Sequence, residues 1–142
     1  MSKNSYTGSC QCGSLKFHFS TELAPKDWRV RRCTCSFCCQ HPNHIHVSDP
    51  AGSVRYEFVD ERHVSRFRFG TKTADFITCK NCGSYMGAVM PRDDGNFAVL
   101  NVECLSGDIL LPSPPEVSFG GEDLEQRLTR RNAGWTPVEN DI

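Results

Sequence analysis

The cysteines of this chain are not scattered. Cys10 and Cys12 lie in GSCQCG, Cys33, Cys35 and Cys38 in CTCSFC, and Cys79 and Cys82 in CKNCG, so seven of the nine fall into three short clusters. Thiolates two or three residues apart can grip one ion from a single tight turn, and a second turn far along the chain completes a tetrahedron. The pattern is that of a chain that wraps metal, and zinc is the first expectation. A disulfide scaffold is the rival, but the cysteine count is odd and the CxC pairs are too close to bridge with each other. The opening MSKNSYTGSC has no apolar stretch of signal-peptide length, so a reducing, cytoplasmic location is expected.

A chain of 142 residues makes one domain, burying about 70% of the surface its unfolded form exposes. No segment is long and apolar enough for a membrane helix. The formal charge is −1 and becomes more negative once thiolates ionise around metal, so nucleic acid is not an expected partner.

Apolar residues recur mostly at a spacing of two, which points to strands with one buried face. Leu15, Phe17 and Phe19 alternate with polar residues, as do Val54, Tyr56 and Phe58, and Phe67 and Phe69. Phe76–Cys79, Tyr85–Met90 and Phe97–Leu105 read as three further strands, with a turn at Asp93, Asp94 and Gly95. One helix is predicted over Glu122–Asn132, with Leu124 and Leu128 four apart and Arg127, Arg130 and Arg131 towards its negative end. The expected fold is therefore mainly β: small antiparallel sheets with metal-binding turns, forming a single domain over 1–142. Its core covers about 6–111, and a linker with Pro112, Pro114 and Pro115 leads into the C-terminal helix over 112–142.

In CKNCG the thiolates flank a tight turn, and Gly83 can take the positive φ that aims backbone amides at sulfur. CQCG repeats the plan with one residue fewer. Each turn supplies two ligands, so Cys10, Cys12, Cys79 and Cys82 are expected to make one closed, structural site. CTCSFC is left with Cys33, Cys35 and Cys38 and no obvious fourth ligand, which is the donor set of an open, catalytic site. The alternative is closure by a neighbour. Cys39 is adjacent to Cys38, and adjacent side chains rarely reach one ion together. His41 is better spaced, while His44 and His46 would share one face of a short strand.

Zinc on three thiolates is a weaker Lewis acid than zinc on three neutral histidines and favours another soft ligand. A substrate thiol bound there would ionise at neutral pH and stay nucleophilic, so addition of a thiol to an aldehyde suits the site better than hydrolysis.

GSCQCGSLKF, CTCSFC, Phe69 with Gly70, CKNCG and NVECL, taken in order, resemble the glutathione-dependent formaldehyde-activating enzymes and their relatives, the centromere protein V family. The resemblance covers most of Tyr6 to Leu105. It implies a β-tent fold, a structural zinc on Cys10, Cys12, Cys79 and Cys82, and a catalytic zinc on Cys33, Cys35 and Cys38, two ions per chain. It also implies a carbon–sulfur lyase that condenses formaldehyde with glutathione to S-hydroxymethylglutathione, with a small-molecule thiol and aldehyde as its partners. Many members continue after the CxCxxC cluster with basic residues and a glycine, whereas this chain has Cys39, Gln40, His41 and Pro42, so the wall of its second site is individual. The alternative from another class is a noncatalytic two-zinc β module that binds a protein partner.

Other residues carry weaker signals. Arg29, Arg31 and Arg32 run into Cys33 and could hold carboxylates, although a basic run is more often a solvated face. Cys104 alternates with Ala98, Leu100 and Val102 and reads as core. Cys39 could be a redox thiol but has no evident resolving partner. Trp135 is expected to pack the tail onto the sheets.

Overall fold

The computed structural model describes residues 3–41, 44–107, 109–140 and 142, so Pro42 of the loop after the second cluster falls outside it. The alternating segment around Phe17 forms strand β2 (Leu15–Thr21), which pairs antiparallel with β1 (Asn4–Ser9) and β5 (Ser53–Phe58) in a three-stranded sheet. Leu15, Phe17, Phe19 and Thr21 are buried while the residues between them are half-exposed, as a spacing of two requires.

The second sheet is larger. It runs β10 (Glu116–Val117), β3 (Val30–Cys33), β4 (His46–Val47), β9 (Gly95–Asn101), β8 (Tyr85–Arg92), β7 (Asp75–Cys79) and β6 (Val64–Phe67), and β11 (Thr136–Pro137) adds to β9. Its pairings are antiparallel except for β10 with β3. A four-residue helix, α1 (Ser36–Cys39), carries the end of the second cysteine cluster. The fold is thus mainly β, with small antiparallel pairings and one short C-terminal helix, α2 (Leu124–Gly134).

Three boundaries differ from the sequence reading. The expected run Phe97–Leu105 leaves the strand at Asn101 and turns through a 3-10 segment at Val102–Cys104. There the Asn101 side chain accepts from Glu103 N–H and Ile45 N–H, which bends the chain back. Helix α2 begins two residues later than predicted, because Asp123 is its N-cap. Asp123 accepts from Gln126 N–H at 2.8 Å, and the Gln126 side chain accepts from Asp123 N–H at 3.0 Å. The strand expected through Phe69 ends at Phe67.

Strands β8 and β9 are buried on both faces. Met86, Val89, Ala98 and Leu100 join the core shared with the three-stranded sheet, while Tyr85, Ala88, Met90 and Val99 pack with Cys38, Phe76 and Trp135. Tyr85 and Ala88 are three apart, which a regular strand would place on opposite faces. A bulge reconciles them: β7 pairs Ile77 with Gly87 and Thr78 with Tyr85, leaving Met86 extra. Gly87 makes this possible at φ +126°, with its backbone pressed against β9.

A Cβ at Gly87 would lie 2.2 Å from the carbonyl oxygen of Val99. Gly87→Ala is therefore expected to destabilise the fold by about 2–4 kcal/mol, from combined clash and backbone strain. Urea unfolding measures this, and an unchanged midpoint would refute the bulge geometry.

Candidate metal centres

The first centre forms where two hairpin turns meet. Cys10 closes β1 and Cys12 follows in the turn to β2; Cys79 ends β7 and Cys82 lies in the turn to β8. Both turns have the same backbone construction. Cys10 N–H donates to Leu15 O and Gly13 N–H to Cys10 O, while Cys79 N–H donates to Ser84 O and Gly83 N–H to Cys79 O. Gly83, at φ +81°, adopts the left-handed conformation expected of it.

The four sulfurs lie within 4.8 Å of one another, with Cys10 to Cys12 and Cys12 to Cys79 at 3.6 Å. A regular tetrahedron with metal–sulfur bonds of about 2.3 Å has sulfur–sulfur edges of about 3.8 Å, so this spacing suits one ion. Cys10 and Cys79 are buried, and Leu15 N–H donates to Cys10 Sγ at 3.3 Å. Hydrogen bonds, led by that from Asn81, hold the Cys12 thiol down to about 5, whereas burial pushes Cys79 up to about 12. Thiols so divided share protons badly, and a divalent cation would take the place of those protons.

The second centre gathers Cys33 at the end of β3, Cys35 before α1 and Cys38 within α1, again with sulfurs inside 4.8 Å. Cys35 is the N-cap of α1, and its sulfur accepts from Cys38 N–H at 3.4 Å. Hydrogen bonds from Cys33 and Cys38 drop the Cys35 thiol to about 2, while the same contacts raise Cys33 and Cys38. Cys35 is therefore the readiest of the three to ionise, and three sulfurs so close together are a donor set suited to a soft cation. All three cysteines open onto a cavity of about 320 Å³.

The histidines fall differently from their spacing. His41, the better spaced, stacks on Phe37 with ring centroids 4.6 Å apart and is not among the residues gathered around Cys38. His44 and His46, both buried, have nitrogens within 4.8 Å of Cys38 Sγ. His44 is already committed: its Nε2 accepts from Cys33 N–H at 3.1 Å, and its Nδ1 donates to His41 O at 2.7 Å. It braces the backbone of a cluster cysteine from behind. His46 lines the cavity, with Nε2 2.8 Å from the Tyr85 hydroxyl, and burial lowers it to about 3, which keeps it neutral. Cys39 is exposed and its thiol donates to Thr34 O, outside the trio. Cys104 is partly buried, donates to Tyr85 O, and burial raises it to about 12.

The arginines divide by strand and helix geometry. Of the run before Cys33, Arg29 is exposed, Arg32 donates to His44 O and only Arg31 enters the cavity. Helix α2 supplies Arg127, Arg130 and Arg131 to the same cavity, a role that the sequence reading assigned only to the helix dipole. Their spacing of three and four was the available signal, since it places them on one helix face. The two leucines spaced four apart on the helix differ: Leu128 packs inward, whereas Leu124 is 49% exposed. Trp135 is buried, as expected, and forms part of the cavity wall. Among the described residues no helix is long and apolar enough to cross a membrane.

No known family profile and no curated protein matches this chain. It is similar to a protein of Rhodobacter sphaeroides solved by crystallography, with 26% sequence identity, a TM-score of 0.60, and coverage of 78% of this chain and 99% of the other.

The two centres should respond differently to mutation. Cys79→Ser breaks a cluster that joins residues 67 apart, Cys12 and Cys79, and should cost on the order of 5 kcal/mol or prevent folding, since metal binding there is folding energy. Cys35→Ser alters a local cluster and should cost about 1–2 kcal/mol. Thermal unfolding of both variants checks this, and equal losses would show that the centres do not divide into structural and open.

Proposed function

We propose that the chain is a zinc-dependent carbon–sulfur lyase that joins a small, formaldehyde-like aldehyde to a thiol such as glutathione, giving an S-hydroxyalkyl adduct. The observation that carries this reading is the second centre: three sulfurs, no fourth cysteine among them, opening onto a cavity. The closed cluster of Cys10, Cys12, Cys79 and Cys82 would hold a structural zinc and that of Cys33, Cys35 and Cys38 a catalytic one. The order and spacing of these clusters support membership of the formaldehyde-activating family and its β-tent fold, and unpaired thiols in such numbers favour a cytoplasmic setting.

Zinc bound at the open cluster would supply the positive charge that keeps a substrate thiol ionised at neutral pH. The protein supplies position and dryness. Phe69, Phe76 and Trp135 give the cavity apolar walls that limit water, which would otherwise hydrate the aldehyde. In the reaction a sulfur–carbon bond forms, the carbonyl π bond opens, and the proton lost by the thiol ends on the former carbonyl oxygen, with no change of oxidation state. His46, neutral and facing the cavity, offers Nδ1 to hydrogen-bond that oxygen while Nε2 stays with Tyr85.

A second reading is a noncatalytic zinc module that binds a protein partner. It is favoured by Phe67, which is 49% exposed and stacks on Phe37 and Phe69 at the surface.

Exchange spectroscopy on glutathione and formaldehyde separates the two, because the uncatalysed addition is reversible and visible. Protein carrying about two zinc ions per chain should accelerate exchange, and Cys35→Ser should return it to the spontaneous rate while circular dichroism shows the fold intact. Equal rates with and without protein, across several thiols and aldehydes, would leave the partner-binding module as the better account.

A further inference from the structure

Four guanidinium groups and one carboxylate meet around the cavity. Glu122 serves two of them, accepting from Arg130 at 2.7 and 3.0 Å and from Arg127 at 3.4 Å. Arg31 and Arg131 make no ion pair among the described residues. Arg131 is the sharper anomaly. It is only 8% exposed, it lines the cavity, and its Nε is shielded from solvent with no acceptor. Its guanidinium otherwise donates from Nη1 to Thr73 Oγ1 at 2.9 Å and lies over the ring of Trp135, 4.8 Å from the guanidinium carbon.

A guanidinium does not surrender its proton at physiological pH, so a buried one without a carboxylate needs an anion from elsewhere. The indole supports its flat face, and the planar fork of donors suits two oxygens of one group. Arg31 approaches the same cavity from β3, on the side of Cys33.

We propose that this cavity is a binding site for a small molecule bearing an oxyanion, a carboxylate or a phosphate group, held by Arg131 and Arg31. Thr73 fixes one arm of Arg131, and Glu122 neutralises part of the charge of Arg127 and Arg130, leaving the surplus on Arg31 and Arg131. The charged end lies at the arginines, and the rest of the molecule extends into the cavity towards Cys33, Cys35 and Cys38, which line it as well. A volume of about 320 Å³ suits a metabolite-sized ligand. As a statement about the site this stands alone; as a statement that the lyase substrate is anionic it rests on the lyase reading.

The test uses the full-length, metal-loaded protein. Inorganic phosphate and malonate are titrated separately at constant ionic strength, with malonamide as the neutral counterpart, by calorimetry and by the fluorescence of Trp135. Trp28 lies in the other core cluster and gives a constant background. Saturable binding of phosphate or malonate but not malonamide is expected, and whichever anion binds tighter identifies the group. Arg131→Gln should weaken it at least tenfold, Arg131→Lys should weaken it by keeping the charge but losing the fork, and Arg55→Gln on the exposed face of β5 should not change it. Should Arg131→Gln fail to fold, Arg31→Gln decides, with a loss of at least fivefold expected. No saturation by either anion, or unchanged affinity in both Arg31→Gln and Arg131→Lys, overturns the proposal. The probes carry neither thiol nor aldehyde, so anion binding without catalysis would sink the lyase reading alone, and catalysis without anion binding would sink this one alone.

Discussion

The meeting of two hairpin turns at Cys10, Cys12, Cys79 and Cys82 is the contact on which the rest of the architecture depends. One turn belongs to the three-stranded sheet and the other to the large sheet, so the cluster fastens the two together at one end. Elsewhere, among the described residues, the parts meet through packed side chains and backbone contacts that include the bridges of Gly8 with Leu105 and Val54 with Val138. Closing so long a stretch of chain has an entropic cost that rises slowly with its length, and a multidentate metal site offsets it at a single point. Buried thiols without a cation do the opposite, because each desolvated sulfur competes with its neighbours for protons.

With the sheets fixed in this way, β8 and β9 are covered on both sides. One face completes the core around Phe17, Phe19 and Trp28; the other backs the cavity, where Val99 and Ala88 lie under the three sulfurs of the second cluster. The bulge beside Gly87 is what brings Tyr85 to that second face, and Tyr85 in turn holds His46. A distortion in one strand thereby supplies the hydrogen-bond partner of a buried imidazole in the cavity wall.

The sequence was most readable where chemistry is local. The three cysteine clusters, the strands around Phe17 and Tyr56, and the turn at Gly83 follow from spacing alone, since two thiols on one turn or alternate residues on one strand need no knowledge of the remaining chain. The readings that failed were those that tertiary contacts decide. His41 has better spacing than His44 and His46, yet its ring is drawn onto Phe37 while His46 enters on β4 and His44 on the stretch just before it. Leu124 carries a helical apolar signal but faces solvent, and Arg131, which looks like a dipole-stabilising terminal residue, is the buried one. The strand predicted to Leu105 stops at Asn101 because one amide side chain captures backbone donors from two directions.

The sulfurs and part of the cavity wall come from different stretches of polypeptide. Every sulfur of the two clusters precedes Gly83, whereas Ser118, Phe119, Arg127, Arg130, Arg131 and Trp135 of the cavity wall all follow Pro115. Drift in the last thirty or so residues can therefore reshape one side of the cavity while the sulfur framework stays untouched. A lineage built on this plan could diversify its ligands by exchanging tails, much as a tool keeps its handle and changes its bit.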